Sequence, residues 1–74
     1  MLTNIREHME VVDQDDYHVG TVDRVEGSKI KLTRNDPLAE GTHHFVDAGW
    51  VESVDSKVHL NKPNSELLAL WKSK

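Results

Sequence analysis

The stretch Tyr17–Thr33 constrains the fold more than any other part of this sequence, because it reads as two strands joined by a tight turn. In Lys29–Thr33, lysines alternate with Ile30 and Leu32, which is the two-residue period of a half-buried strand. Gly27 lies in the short polar turn before this strand, and glycine readily adopts the positive φ that short hairpin connections often require. The pattern therefore predicts a β-hairpin at the centre of the fold.

The first strand of this hairpin must bend. Val19 and Val22 both have the character of core residues, yet they have opposite parity along a strand and would face opposite ways. Gly20 lies between them, and a glycine within a strand often marks a bulge or a sharp bend. We therefore predict a bend at Gly20, and a bent, strongly twisted strand suits a small barrel better than a flat sheet.

The rest of the chain reads as further short strands followed by one helix. Met9–Val12 is predicted to be a first strand, and His43–Val46 a later one. Glu52–Val54 and Lys57–Leu60 flank a two-residue polar turn and predict a second tight hairpin. Asn64–Lys72 is rich in helix formers and has a capping residue in front, so it predicts a short helix.

These elements predict a mainly β fold, a small barrel of five or six strands with a short C-terminal α-helix. We expect one domain over residues 1–74, with the barrel at 1–62 and the helix at 63–74. Arg34–Thr42 is predicted to be a loop, because Pro37 cannot donate a ladder hydrogen bond, and Ile5 is expected under the fold. Ten inward side chains are expected to fill the interior without help from the helix: Val19, Val22, Val25, Ile30, Leu32, Val46, Val51, Val54, Val58 and Leu60.

Composition limits the compartment and the partners. The chain has no cysteine, which excludes disulfides and thiolate zinc sites and fits a reducing compartment. The N-terminal residues contain no apolar run of the length that a signal peptide or a membrane span needs, so we expect a soluble cytoplasmic protein without membrane insertion. The net charge is −4 and the nine basic residues are scattered, so a nucleic-acid partner is not expected.

Three segments resemble the PRC-barrel group, named after the photosynthetic reaction centre H subunit. They are the strand Val19–Asp23, the corner Asp47–Trp50 entered from Val46, and the closing strand Val58–Leu60. The sequence is most similar to a subgroup of small bacterial proteins that is known only as a domain of unknown function. The resemblance implies an SH3-like, PRC-type β-barrel that binds proteins, and it implies no catalytic residues.

Five histidines raise the possibility of a metal site or a catalytic base: His8, His18, His43, His44 and His59. His43 and His44 are adjacent on a predicted strand, so their side chains point to opposite faces and cannot chelate one ion together. His18 and His59 have outward parity and could meet only if their strands are neighbours. We therefore predict ordinary solvated or half-packed histidines, with no metal ion and no cofactor.

The acidic residues Asp13, Asp15 and Asp16 invite a calcium interpretation. A calcium loop of the EF-hand type would need glycine at its sixth position, where this sequence has His18. The segment is therefore predicted to be a solvated acidic turn. The sequence also lacks a nucleophile elbow and a glycine-rich phosphate loop, and so small a domain has little room for a pocket, so we do not expect an enzyme.

The favoured function is a non-enzymatic protein-interaction or scaffold module. The first alternative is an RNA- or ribosome-associated barrel protein, by analogy with the ribosome-maturation barrel of the same group, although the acidic charge argues against it. The least favoured alternative is a small metal-dependent enzyme that uses the histidines.

The partner-binding surface is predicted where the terminal helix meets the barrel, at Phe45, Leu67, Leu70 and Trp71. The last three residues have the spacing of one helical stripe. That stripe either caps the barrel of its own chain or contacts a partner, which could be a second copy in a homodimer.

Overall fold

The structure is a computed structural model that describes residues 4–35, 41 and 43–72. Its main elements are six strands, a 3₁₀ turn at Ala48–Trp50 and one α-helix. In chain order they are β1 (Glu10–Val12), β2 (His18–Glu26), β3 (Lys29–Leu32), β4 (His44–Asp47), β5 (Val51–Val54), β6 (Lys57–Leu60) and α1 (Asn64–Lys72). The prediction of a mainly β fold with a short C-terminal helix is confirmed. Residues 36–40 and 42 of the predicted loop, Pro37 among them, lie outside the described residues.

The strands form one mixed sheet in the order β4-β3-β2-β1-β6-β5. All neighbouring strands are antiparallel except β1 and β6, which are parallel. The two outermost strands, β4 and β5, do not pair with each other within the described residues, so the predicted closure into a barrel is not observed. Helix α1 packs beside β4, at one of the two sheet edges that a closed barrel would join.

The central hairpin is formed by β2 and β3, as predicted. Gly27 and Ser28 connect the strands, Glu26 pairs with Lys29, and Gly27 has φ of 62°. A positive φ at the first turn residue matches the right-handed twist of the flanking strands, and it carries a steric cost for most residues that have a Cβ atom. This turn sets the register that places Ile30 in the core.

The predicted bend at Gly20 is present as a shift in the pairing of β1 with β2. Val11 pairs with Gly20 and Val12 pairs with His18, so Val19 is an extra residue on β2. This bulge lets Val19 and Val22 both reach the core in spite of their opposite parity.

A second bulge in β2 was not predicted. Against β3, Val22 pairs with Leu32 and Arg24 pairs with Lys31, which leaves Asp23 as an extra residue. The first half of β2 thus pairs with β1 and the second half pairs with β3, with one bulge in each half. The two bulges bend this nine-residue strand, which joins the strands on the β1 side of the sheet to those on the β3 side.

The core lies on the inner face of the bent sheet. All ten predicted side chains belong to it or pack against it, and Ile5 is buried there as expected. The core also contains Val11 and Leu67. Because Leu67 belongs to α1 and is fully buried, the prediction that the strands fill the interior without the helix is wrong. An open sheet leaves one end of its core uncovered, and the helix supplies the side chain that fills it.

Candidate interaction surface

Helix α1 is held on the sheet by two aromatic contacts at its C-terminal end. The indole Nε1–H of Trp71 donates a hydrogen bond to the backbone carbonyl of Phe45 in β4, at 3.1 Å. The ring of His44 stacks on Trp71, with ring centroids 4.3 Å apart and 17° between the planes. Trp71 also packs against the core beside Leu67. The helix therefore covers part of the outer edge of β4, where a sheet would otherwise offer free backbone groups.

The N-terminal end of α1 is held by Asp13, which is 2% exposed. One carboxylate oxygen accepts the backbone N–H groups of Asp15 and Tyr17 at 2.8 and 2.9 Å. The other oxygen accepts the backbone N–H of Asn64, the first residue of α1, at 2.9 Å. The first N–H groups of a helix have no partner within the helix, and a negative charge at this end is favourable. Asp13 is therefore a buried capping residue, and the prediction that it lies in a solvated turn is wrong.

Apolar side chains remain exposed on both sides of α1. Because a helix advances by about 100° per residue, Leu68 and Leu70 lie about 80° to either side of the direction shared by the inward residues Leu67 and Trp71. Leu68 is 46% exposed and Leu70 is 37% exposed. We call Leu68 and Leu70 the apolar flanks of α1. The apolar face of the helix is wider than the surface that its own sheet covers.

The structure brings the four predicted partner-binding residues together around α1 but gives them different surroundings. Leu67 is buried in the core of its own chain, so it is not part of the surface. Trp71 is half-buried between the core and His44, and Phe45 is half-buried on the neighbouring strand. Leu70 is exposed. That Phe45, Leu70 and Trp71 bind a partner stays a prediction.

The histidines that sequence analysis singled out have separate partners. His43 Nδ1 lies 3.1 Å from the carbonyl oxygen of Leu32, whereas His44 stacks on Trp71, in agreement with the predicted divergence of this pair. His18 and His59 belong to β2 and β6, which are separated by β1, so their strands are not neighbours. Within the described residues, no group of three or more histidine or acidic side chains is arranged to hold a metal ion.

His59 connects two turns of the chain. Its Nε2 lies 3.0 Å from Oδ1 of Asp55 in the β5–β6 turn, and its Nδ1 lies 3.3 Å from Oδ1 of Asp16 in the β1–β2 turn. The backbone N–H of Lys57 donates to Asp55 at 2.8 Å. This hydrogen bond, followed by the one from His59, lowers the pKa of the Asp55 carboxyl group. The two turns are thus linked at the surface of the sheet.

A second contact between a histidine and a carboxylate joins β2 to β1. His18 Nδ1 lies 3.0 Å from Oε2 of Glu10, and this hydrogen bond is the main reason that the pKa of Glu10 is lowered.

The register of the strands places His18 and His59 on either side of Val12, which is fully buried but outside the core cluster. Residues paired across a ladder share a face. The two histidines therefore flank an apolar residue on the outer face of the sheet.

The roles of three residues in this region were not predicted from the sequence: Asp13, Tyr17 and Leu68. Tyr17 is 65% exposed, the most exposed of the large hydrophobic residues described. The spacing of Asp13 before Asp15 and Tyr17 is a signal for a turn closed by an aspartate side chain. Its bond to Asn64 spans 51 positions and has no local signal. Leu68 follows Leu67 directly, and only the observed rotation of α1 shows which of the two faces outward.

Three further findings bear on the class of protein. No helix among the described residues is long and apolar enough to cross a membrane. No curated protein matches the sequence. The model of a family described as uncharacterised proteins conserved in bacteria, DUF2171, matches residues 5–67. This match confirms the predicted membership of a domain family of unknown function. It does not support a relationship to the PRC-barrel group. Because it spans most of the 74 residues, the chain belongs to the DUF2171 family of bacterial proteins.

Proposed function

We propose that this protein is a non-enzymatic protein-interaction module that binds a protein partner, or a second copy of itself, through α1 and the adjoining strand β4. The observation that carries the proposal is the pair of apolar flanks at Leu68 and Leu70, which remain exposed although Leu67 and Trp71 already attach the helix to the sheet. Such a helix exposes more apolar surface than its own fold uses, and a partner that covers a flank removes this surface from water, which favours binding.

Helix α1 is also held in place at both of its ends. Asp13 holds the first residue of α1, while Trp71 is bonded to Phe45 and stacked on His44 near the last. A helix fixed at both ends loses little conformational entropy when a partner covers it, which favours binding. Four histidines have contacts within the fold itself, with a carboxylate, a backbone carbonyl or an aromatic ring: His18, His43, His44 and His59.

We further infer a relationship to the SH3-like, PRC-type barrels. The supporting features are the doubly bulged strand β2, which includes Val19–Asp23, and the turn at Ala48–Trp50, which is capped by Asp47. Val58 and Leu60 of β6 also face the core, as the closing strand of such a fold would require. In this proposal the sheet corresponds to a barrel that has opened between β4 and β5, with α1 beside the opening.

Affinity capture from a bacterial lysate tests the proposal. The wild-type protein is compared with Leu70→Glu and Leu68→Glu, which place a charge on each flank, and with Ser65→Glu, which places the same charge on the exposed side of α1. We expect a near-stoichiometric partner that is retained by wild type and Ser65→Glu and lost by at least one flank variant. Sedimentation equilibrium of the four proteins identifies a second copy as the partner. A monomer that captures the same proteins whether or not the flanks are charged would contradict the proposal.

A further inference from the structure

Charge is distributed unevenly between the two halves of the sheet. The half made by residues 10–17 and 51–66 holds β1, β5, β6 and the start of α1, and it contains seven carboxylates against two lysines. The half made by residues 18–35 and 43–50 contains three carboxylates against four lysine and arginine residues. The first half therefore carries a net charge of −5 and the second a net charge of +1, which creates a negative potential on the first half.

An exposed aromatic side chain lies within this acidic half. Tyr17 is 65% exposed and directly follows Asp15 and Asp16, which are both exposed. Its backbone N–H and that of Asn64 are each bonded at 2.9 Å to an oxygen of the same carboxylate, that of Asp13. These two nitrogens are therefore no more than about 8 Å apart. Tyr17 consequently lies beside the N-terminal end of α1.

Leu68 is the exposed apolar residue of α1 closest to that end. It is one helical turn beyond Asn64, and helical side chains lean toward the helix N-terminus, so Leu68 covers the turn that Asp13 caps. The backbone of Tyr17 and the helical turn that Leu68 covers thus adjoin the same buried carboxylate, and Asp15 and Asp16 directly precede Tyr17. We call these four residues the Tyr17 patch.

We propose that the Tyr17 patch binds a segment of a partner protein that is basic and also carries an apolar side chain. This inference rests on the proposed function and adds the chemical class of the partner. An arginine or lysine of the partner lies over the ring of Tyr17 and pairs with Asp15 or Asp16, while an apolar side chain of the same segment packs on Leu68.

Charge complementarity around an exposed aromatic side chain favours such a partner. A cation over the face of a tyrosine ring is stabilised by the ring quadrupole, and tyrosine is enriched among the residues that dominate binding energies. Carboxylates at the border of the patch raise the association rate of a cationic partner and disfavour an anionic one. A nucleic acid would bring phosphates against the acidic half of the sheet, so a basic protein segment fits this surface better.

Fluorescence anisotropy with three labelled six-residue peptides tests the proposal. The probe alternates arginine and leucine, and two matched peptides replace either every arginine by glutamate or every leucine by serine. The protein variants are Tyr17→Ala, Leu68→Ala and the double variant Asp15→Asn/Asp16→Asn. Asn keeps the size of Asp and tolerates the positive φ of 68° at position 16. The control is Asp23→Asn, which removes a carboxylate from the other half of the sheet.

We expect saturable binding of the arginine–leucine peptide, weakened at least about fivefold by each patch variant and unchanged by Asp23→Asn. Raising the NaCl concentration from about 50 to about 300 mM should also weaken it, because the ion pairs are exposed. Equal loss in Asp23→Asn and in the double variant would overturn the proposal, since it would show attraction to net charge alone. Equal binding of the glutamate–leucine peptide would also overturn it, and it would leave the proposed apolar interaction surface intact. A lysate partner that is lost in Leu70→Glu but retained in Tyr17→Ala would likewise overturn the Tyr17 patch and leave the apolar interaction surface intact.

Discussion

The carboxylate of Asp13 accepts a hydrogen bond from the backbone N–H of Asn64, 51 positions further along the chain, at 2.9 Å. The same side chain accepts the N–H groups of Asp15 and Tyr17. One buried carboxylate therefore shapes the β1–β2 turn and starts the terminal helix. The stability of the turn and the seating of α1 should accordingly depend on one another.

Replacing Asp13 by alanine is expected to lower the free energy of unfolding by about 2–4 kcal/mol, because three backbone donors lose their acceptor and α1 loses its cap. Urea denaturation measures this change. Asp15→Ala is the matched control, since Asp15 is exposed and its substitution should change stability by less than about 0.5 kcal/mol. A loss below about 1 kcal/mol for Asp13→Ala would show that water replaces the carboxylate at little cost.

Glycine is expected to be required at position 20 because a larger side chain there would collide with Leu32. A Cβ atom at this position would lie 2.8 Å from Cδ1 of the buried Leu32. Gly20→Val should therefore lower the free energy of unfolding by roughly 1–3 kcal/mol, and Gly20→Ala by a smaller amount. In a double-mutant cycle, Gly20→Ala should cost less in a Leu32→Ala background than in the wild type. Additive effects would contradict the steric explanation.

Leu67 and Leu68 are adjacent in the sequence but should respond differently to truncation. Leu67 is fully buried in the core, so Leu67→Ala is expected to cost about 2–5 kcal/mol. Leu68 is an exposed flank, and Leu68→Ala should change the free energy of unfolding by less than about 0.5 kcal/mol. Thermal and urea denaturation of the two variants measure the difference. Equal losses would mean that α1 is rotated relative to the arrangement described above.

Part of the stability that the protein loses in acid should come from protonation of Asp55. Its pKa is lowered in the folded protein, first by the N–H of Lys57 and then by His59, from an ordinary value of 3.8. A carboxylate with a lowered folded pKa contributes stability above its unfolded pKa, and this contribution is lost as the pH falls through the folded value. The difference in urea midpoint between wild type and Asp55→Asn should therefore be present at pH 7 and shrink below about pH 4. A difference that is independent of pH would contradict this assignment.

Local patterns predicted the elements of this fold well. The alternation in Lys29–Leu32 and the position of Gly27 determine the central hairpin, and the parity of Val19 and Val22 reveals the first bulge in β2. Each of these signals depends on residues within a few positions of one another. Backbone geometry and side-chain periodicity act over that range, so they can be read from one sequence.

The long-range features could not be read in this way. Nothing near Asp13 indicates that its carboxylate meets Asn64, and nothing near β4 indicates that Trp71 takes the place of a neighbouring strand. The bulge at Asp23 arises because β2 must serve two partners, β1 and β3. Such features depend on how whole elements pack, and a barrel and an open sheet with a helix at its edge share the same local patterns.

The parallel pairing of β1 with β6 has a consequence for the order of folding. Val11 and Val58 are paired although 47 positions separate them, whereas β2 and β3 are joined by two residues. Contacts of high sequence separation form slowly, because a long loop must close first. Until β6 docks, β1 therefore has a neighbour on one side only, and its other edge stays open to intermolecular pairing. Slow closure of the loop between β1 and β6 therefore lengthens the time in which a strand edge from the middle of the finished sheet is exposed to aggregation.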